Sequence, residues 1–294
     1  MKKITIKYTA IAPISHIGKT ASTGSAFQTI LTSGGKIPVI TGNSIRGQLR
    51  DSAASRLLEL LDTKVDKETF NVLFSGGNLN GEMKDDIGRA KQVREHFPMI
   101  SLFGGGLGSM IMAGKMTCSF AIPICKESED ITGRPSFISY HSLVDEIEFT
   151  RMDDCKNDIK AEHITDTEAE TKAKASTQMR FEVQYMAAGT EFIQTITLFD
   201  GTTSLELGAF YSALLKWFEL PRLGGMAAKG FGFFDAVVGD NDITVNGGEI
   251  TAKDEIKTLA TAYENYVKAE GNTYLDLLKT KGGKKNGEIS DNAD

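Results

Sequence analysis

The 294-residue chain carries 33 Lys+Arg against 39 Asp+Glu, a formal net charge of −6, with 40% hydrophobic and 24% charged residues. Those values fit a globular protein built as one large domain or a core with sizeable insertions, and no run approaches the ~18 apolar residues that a membrane-spanning helix needs. The three cysteines, Cys118, Cys125 and Cys155, form no C-x-x-C pair; they are expected to be reduced, in a cytoplasmic protein with no metal site.

The net value hides an uneven distribution. Residues 1–50 hold seven Lys/Arg and no Asp or Glu, whereas residues 127–170 hold thirteen acidic residues against four basic ones. Such asymmetry points to a local anionic partner. An acidic chain binds nucleic acid when its cations line one groove.

Residues 2–11 alternate as a strand; Lys7 and Tyr8 interrupt the basic start, so it does not read as a leader. Residues 12–36 are polar and Gly/Ser/Thr-rich, a loop with a short apolar run at Ile30 and Leu31. A short strand at 37–40 then enters the turn Thr41-Gly42-Asn43-Ser44. Ser44 is the expected N-cap of a helix reaching about Leu61, with Leu49, Ala53, Leu57 and Leu60 as its core stripe. Arg46 and Arg50, four residues apart, share another face. Strand, polar turn and a helix with a basic first turn offer N–H and guanidinium groups to a phosphate chain. The alternative is an ordinary capped helix with solvated arginines.

Further helices are expected at 66–74 and 85–96, with a break at "FSGGNLNGE". After Pro98 come an apolar run, four glycines within 104–108 and a strand; residues 126–145 read as irregular. Strands at 146–152 and from Met179 flank a charged stretch, 153–178, with the composition of a mobile loop, so the whole reads as a long β-hairpin. A strand at 191–199 and a helix at about 204–219 follow. "LGGMAAKGFGFF", Leu223 to Phe234, is a loop with little side-chain obstruction, where backbone approaches backbone and Lys229 is a point charge. A last helix at about 253–279 precedes a tail expected to be disordered. The order suits an α+β chain with a β-α-β-β-α-β core and large insertions, not a doubly wound parallel sheet.

Small-molecule chemistry finds little support. Gly18-Lys19-Thr20 lacks the earlier phosphate-loop glycine, that position being Pro13, and the glycines at 104–108 are wrongly spaced for a dinucleotide fingerprint. His16, His96, His141 and His163 are scattered without zinc spacing, and no nucleophile sits in an elbow. Only His16 lies in a basic, glycine-bounded loop. No metal or cofactor is expected.

Together, "PISHIGK", "IPVITGNSIRGQLRD", "RFEVQYMAAGTEF" and "LGGMAAKGFGFF" resemble segments of the RAMP superfamily, in the CRISPR RNA-binding backbone subunits. Among subtypes they look most like the type IV backbone protein, with types I-D and III next. The resemblance covers 1–60 and 145–240. It implies a modified ferredoxin-like (RRM-like) palm from 1–75 and 186–280, a Gly-rich finger-like insertion at 76–145, a thumb hairpin at 146–185 and a tail at 281–294. Its function would be that of a non-catalytic subunit binding guide RNA (crRNA) in an antiviral ribonucleoprotein. Copies would line up head-to-tail as a filament beside other effector subunits, each thumb displacing one guide base, with target nucleic acid read through guide pairing and no membrane involved.

Carried onto this sequence, the resemblance implies that Arg46 and Arg50 contact guide phosphates while Asn43 and Ser44 fix the turn. His16 and Lys19 would form the opposite wall. Lys229 and the backbone of Gly224, Gly225 and Gly230 would close the groove. Met152 would be a wedge against a base and Arg151 a backbone contact. Phosphate contacts carry no sequence information, which suits a subunit that holds any guide. Type III relatives cut target RNA with an early-loop aspartate; residues 17–36 contain no Asp or Glu, and Gln28 or Thr29 falls near that place. Metal-assisted cleavage needs a carboxylate to hold the cation, so no intrinsic nuclease is expected. The acidic thumb tip is expected to face a neighbouring protein more than RNA. Two other functions compete: a metal-independent RAMP endoribonuclease with His16 as general base, which suits a near-neutral pKa, and a general single-stranded RNA-binding module.

Overall fold

The computed structural model describes residues 1–20, 24–77, 87–151 and 179–279. Its centre is strand β1 (Lys2–Ala10), whose alternation buries Ile4, Ile6, Tyr8 and Ala10 on one face. β1 pairs antiparallel with β12 (Glu191–Leu198) on one side and β13 (Phe234–Val238) on the other. β8 (Met116–Cys118) and the short β9 (Ile122–Pro123) extend the β12 side; β14 (Ile243–Asn246) and β15 (Glu249–Ala252) extend the β13 side. The resulting seven-stranded sheet runs β15-β14-β13-β1-β12-β8, with β9 as the seventh strand, also paired to β12.

Helices α1 (Gly42–Leu61), α6 (Ser204–Phe218) and α7 (Asp254–Glu270) cover the buried face. α6 is apolar nearly all round and starts in a capping box: Thr203 Oγ1 accepts from the Glu206 N–H and Glu206 Oε2 from the Thr203 N–H. Within the core the Tyr8 hydroxyl donates to Gln194 Oε1 at 2.6 Å and Gln194 Nε2 donates to the Ser119 carbonyl, so this buried polar pair is satisfied. Smaller helices α2 (Lys67–Ser75) and α4 (Pro98–Phe103) pack on α1, and α3 (Ile87–His96) packs on α4, which is buried along its whole length. β6 (Gly105–Leu107) pairs with β7 (Met110–Met112), and α5 (Glu129–Thr132) is a single turn in a mostly irregular segment.

A second sheet has the order β10-β11-β3-β2, from β10 (Val144–Arg151), β11 (Met179–Met186), β3 (Gly24–Phe27) and β2 (Ile17–Thr20). β10 and β11 are antiparallel in register from Val144↔Met186 to Arg151↔Met179. The connection at 153–178, expected as a mobile loop, lies outside the described residues, as do Met152, Cys155 and the tail at 281–294.

Three sequence readings need correction. Residues 12–36 are not simply a loop. They form β2–β3 and a second hairpin, β4 (Thr29–Thr32) with β5 (Gly35–Pro38), from strands of four residues, too short to show a period. The β14–β15 hairpin was not anticipated, although "ITVNGGEITA" alternates around glycines 247 and 248, both at positive φ. The last helix stops at Glu270 and continues as a 3₁₀ stretch, Gly271–Leu278, where the Asn272 side chain donates to the Leu61 carbonyl.

Candidate nucleic-acid interface

The strand–turn–helix at 37–61 forms as expected, but its cap is Thr41. Thr41 is extended, and its hydroxyl accepts from the Ser44 N–H at 3.3 Å, which places Ser44 inside the first turn. Thr41 in turn donates its own N–H to His16 Nε2 at 3.2 Å. Thr41 Oγ1 lies 3.1 Å from the same nitrogen; as acceptor of the Thr41 N–H, Nε2 belongs to a neutral imidazole, the form that burial also favours by lowering the His16 pKa. Gly42 is required by close approach: a Cβ there would lie 2.1 Å from the Cys118 carbonyl oxygen. Asn43 is exposed beside it. The first N–H groups of α1 have no intrahelical acceptor, and the macrodipole is positive at this end.

The glycine-rich loop folds onto the segment leaving β1. Leu223 N–H donates to the Gly232 carbonyl, Gly232 N–H to Pro13, and Gly225 N–H to Ser15 at 2.7 Å. Gly224 has φ +74, and a Cβ there would sit 2.2 Å from the Ser15 carbonyl oxygen. The backbone that this loop approaches is therefore the protein's own, and the Gly225 N–H is already used. Gly230 ends a 3₁₀ turn, Ala227–Lys229, in the open.

The same loop docks on the β10–β11 hairpin. Phe231, 4% exposed, sits with its ring centroid 6.1 Å from Phe149 and 6.2 Å from Tyr185. Lys229 Nζ lies 4.5 Å from the Phe149 centroid, a cation–π contact. Gln184 ties the hairpin to the early strands: its carbonyl accepts from Ser15 Oγ, its Oε1 from the Phe27 N–H, and its Nε2 donates to Glu146. Phe231 and Gln184 were missed by sequence reading. K-G-F-G before a strand is a legible signal for the first; nothing in the pattern marks the second.

Arg46 and Arg50 do share a face of α1, and both donate to the Phe103 carbonyl, at the C-terminal end of α4. Arg50 also donates to the Gly104 carbonyl at 2.7 Å and is only 7% exposed, its guanidinium carbon 5.5 Å from the Phe103 centroid. Burial, then the charge of Arg46, lowers its pKa to about 10. The expectation that Arg50 contacts a phosphate is thus corrected: it is buried against helix carbonyls. Arg46 is half-buried at the edge of the same contact.

Lys19 lies in β2 opposite Ala26, and Arg151 ends β10 opposite Met179. The outward residues of the large sheet, among them Lys3, Thr5, Lys7, Ile193, Thr195 and Val237, include no aromatic in β1, β12 or β13, because Tyr8, Phe192 and Phe234 all point into the core. An RRM-type base-stacking platform is absent from these strands. Lys7 there is paired with Glu191 at 2.5 Å.

The class defined here is a mixed α/β protein with an antiparallel sheet, whose glycine-rich loop closes on a strand–turn–helix beside a hairpin. The profile of the RAMP superfamily matches residues 7–235, and the chain belongs to that superfamily. No curated protein matches it. Among solved structures it is similar to a chain of a "Type IV-B CRISPR Complex", at 19% identity and a TM-score of 0.57, with 85% of this chain and 96% of that chain covered. It also matches the "Crystal structure of Thermofilum pendens Csc2", at 16% identity and a TM-score of 0.40, covering 94% and 76%. Among the described residues no helix is long and apolar enough to cross a membrane.

Proposed function

We propose that this chain is a non-catalytic backbone subunit that binds guide RNA in a CRISPR effector of type IV character. The observation that carries the reading is the convergence of Ser15–His16, the N-terminus of α1, the loop at 223–232 and the β10–β11 hairpin on one surface of a RAMP-superfamily chain. The likeness to a chain of a type IV-B CRISPR complex supports it. In this reading Arg46, Asn43, Ser44 and Lys229 face the sugar-phosphate chain, Lys19 and Arg151 are further backbone contacts, and Met152, outside the described residues, is the wedge against a base. Gly224 and Gly225 hold the loop in place, Gly230 supplies open backbone, and His16 and Arg50 support the surface from behind.

The order β13-β1-β12-β8, with α1 following β1 and α6 following β12, supports a ferredoxin-like palm. β10–β11 would be the thumb and residues 76–145 the finger-like insertion. Copies would assemble head-to-tail, since a heterologous contact that does not close into a ring extends along the guide. Asp145, Glu146, Glu148 and Glu182 are exposed on the hairpin, which suits a protein neighbour better than a phosphate.

The competing endoribonuclease reading is disfavoured by His16, whose Nε2 lone pair is taken by the Thr41 N–H. Co-expression with a repeat-spacer RNA tests the proposal. The expected result is an intact RNA of fixed length bound by several copies. Cleaved repeat RNA in EDTA, lost on His16→Ala, would favour the enzyme; monomeric binding to RNA of any length would favour a general RNA-binding module.

A further inference from the structure

Arg46 and Arg50 reach the same atom. The Phe103 carbonyl oxygen has two lone pairs, and one guanidinium nitrogen from each arginine fills them. Their situations otherwise differ. The Nη2 group of Arg50 spends its second proton on the Gly104 carbonyl, and its Nη1 lies against Gly76, where an added Cβ would be 3.0 Å away. Each arginine keeps one buried donor without an acceptor among the described residues, Nη1 of Arg50 and Nε of Arg46. Arg50 is only 7% exposed and holds two carbonyls, whereas Arg46 is half-buried and holds one. No carboxylate among the described residues lies within ion-pair distance of either guanidinium. An arginine held by one shared carbonyl, with a buried donor unsatisfied, gains on meeting an anion that supplies two acceptors.

Resting on the reading of Arg46 as a phosphate contact, we infer that Arg50 is its positioning residue: it keeps the Phe103 carbonyl hydrogen-bonded when Arg46 turns to an RNA phosphate. Removing a donor from a buried carbonyl ordinarily carries the full penalty of an unsatisfied acceptor. Here the second donor is already in place, so Arg46 is released without that penalty. Arg46 is the mobile member of the pair and Arg50 the fixed one.

The test begins on the wild-type protein. Arginine side-chain Nε–H signals are followed by ¹⁵N NMR during titration with a hexauridylate. The expected result is a shift and slower solvent exchange for Arg46 with the Arg50 signal unchanged. Movement of both signals would overturn the inference. Movement of neither would remove the phosphate reading of Arg46 itself, and the inference with it. Salt-dependent binding of three variants then separates the two. Arg46→Gln lowers the slope of log K against log salt by about 0.7, the loss of one single-strand phosphate contact. Arg50→Met lowers it equally, because Arg46 stays on the carbonyl, and weakens binding about tenfold. Arg50→Lys, which retains a donor, restores the wild-type slope. If Arg46→Gln lowers the slope while folded Arg50→Met leaves it at the wild-type value, the positioning role is wrong and the phosphate contact stands. If Arg50→Met does not fold, the wild-type spectra and Arg50→Lys decide, a reduced slope in Arg50→Lys counting against the role.

Discussion

The two halves of α1 carry arginines with opposite settlements. Arg56, in the C-terminal half, makes two hydrogen bonds to Glu264, at 2.9 and 2.8 Å; Ser212 donates to the same carboxylate, and Glu59 and Lys216 extend the network. Arg46 and Arg50, in the N-terminal half, find only carbonyl oxygens. A cation matched to a carboxylate is finished as a structural element. A cation matched to a shared carbonyl keeps most of its charge unneutralised, and α1 presents that charge at the end where its dipole is also positive. The helix is thus a strut at one end and, in the proposed function, a binding element at the other.

The largest expected effect concerns the loop that closes over the binding end. Gly224→Ala should cost about 3 kcal/mol or more, because the new methyl meets a backbone carbonyl in left-handed backbone. Gly225→Ala, whose Cβ would be 3.9 Å from the same oxygen, should stay within about 0.5 kcal/mol. Urea unfolding of the two variants side by side is the check; equal losses would mean that the loop does not dock as described.

Next in size, Arg50→Met should cost about 2–3 kcal/mol, since the Gly104 carbonyl loses its donor inside the protein. Arg56→Met should cost about 1–2 kcal/mol, less because both partners are partly exposed. A reversed order in the same unfolding assay would break the contrast between the two halves.

The pH dependence sharpens it further. Burial alone would raise the Glu264 carboxyl, but Arg56 and Ser212 outweigh burial and hold it below its ordinary range. A carboxylate depressed in the folded state stabilises fully above the unfolded value near 4.3, and that contribution is lost as pH falls through the folded value. Arg56→Met should therefore flatten the acid limb of the stability curve, whereas Arg46→Gln should not. His16 adds a separate step. Its lowered pKa favours the neutral ring, so stability present above the unfolded histidine value of about 6.5 declines as pH drops toward the folded one. His16→Gln should remove that step from thermal melts taken between pH 7 and 5.

The smallest effect on stability is reserved for Lys229→Met, about 0.5 kcal/mol for an exposed cation–π contact. In the proposed function it nonetheless lowers the salt slope for RNA binding, by about 0.7. A slope unchanged in filter-binding titrations would place Lys229 outside the interface.

Long periodic elements were legible in the sequence. Residues 204–218 and the alternating strands at 2–10, 179–186 and 191–198 stand close to where their patterns put them. The hairpins at 17–38 were not, because strands of four residues leave no local period and are held by pairing: β3 with β2 and with the distant β11, and β4 with β5. In the candidate site the spacing of Arg46 and Arg50 correctly placed them on one face, and the glycines of 224–232 correctly signalled close backbone approach. What spacing could not supply was direction. The acceptors that bury Arg50 come from Phe103 and Gly104, more than fifty residues onward, and the residue approached by Gly224 is Ser15, about two hundred residues back. The cap moved from Ser44 to Thr41 for the same reason: His16, from a distant loop, accepts the Thr41 N–H and fixes the turn three residues earlier.

The most direct measurement is photo-cross-linking of the protein to a 4-thiouridine-substituted guide RNA, with the adducts mapped by mass spectrometry. The account predicts adducts in peptides spanning 15–19, 43–48 and 224–231, on the surface where α1 begins. Adducts concentrated instead on the open face of β1, β12 and β13, at Lys3, Thr5, Ile193 or Val237, would contradict it.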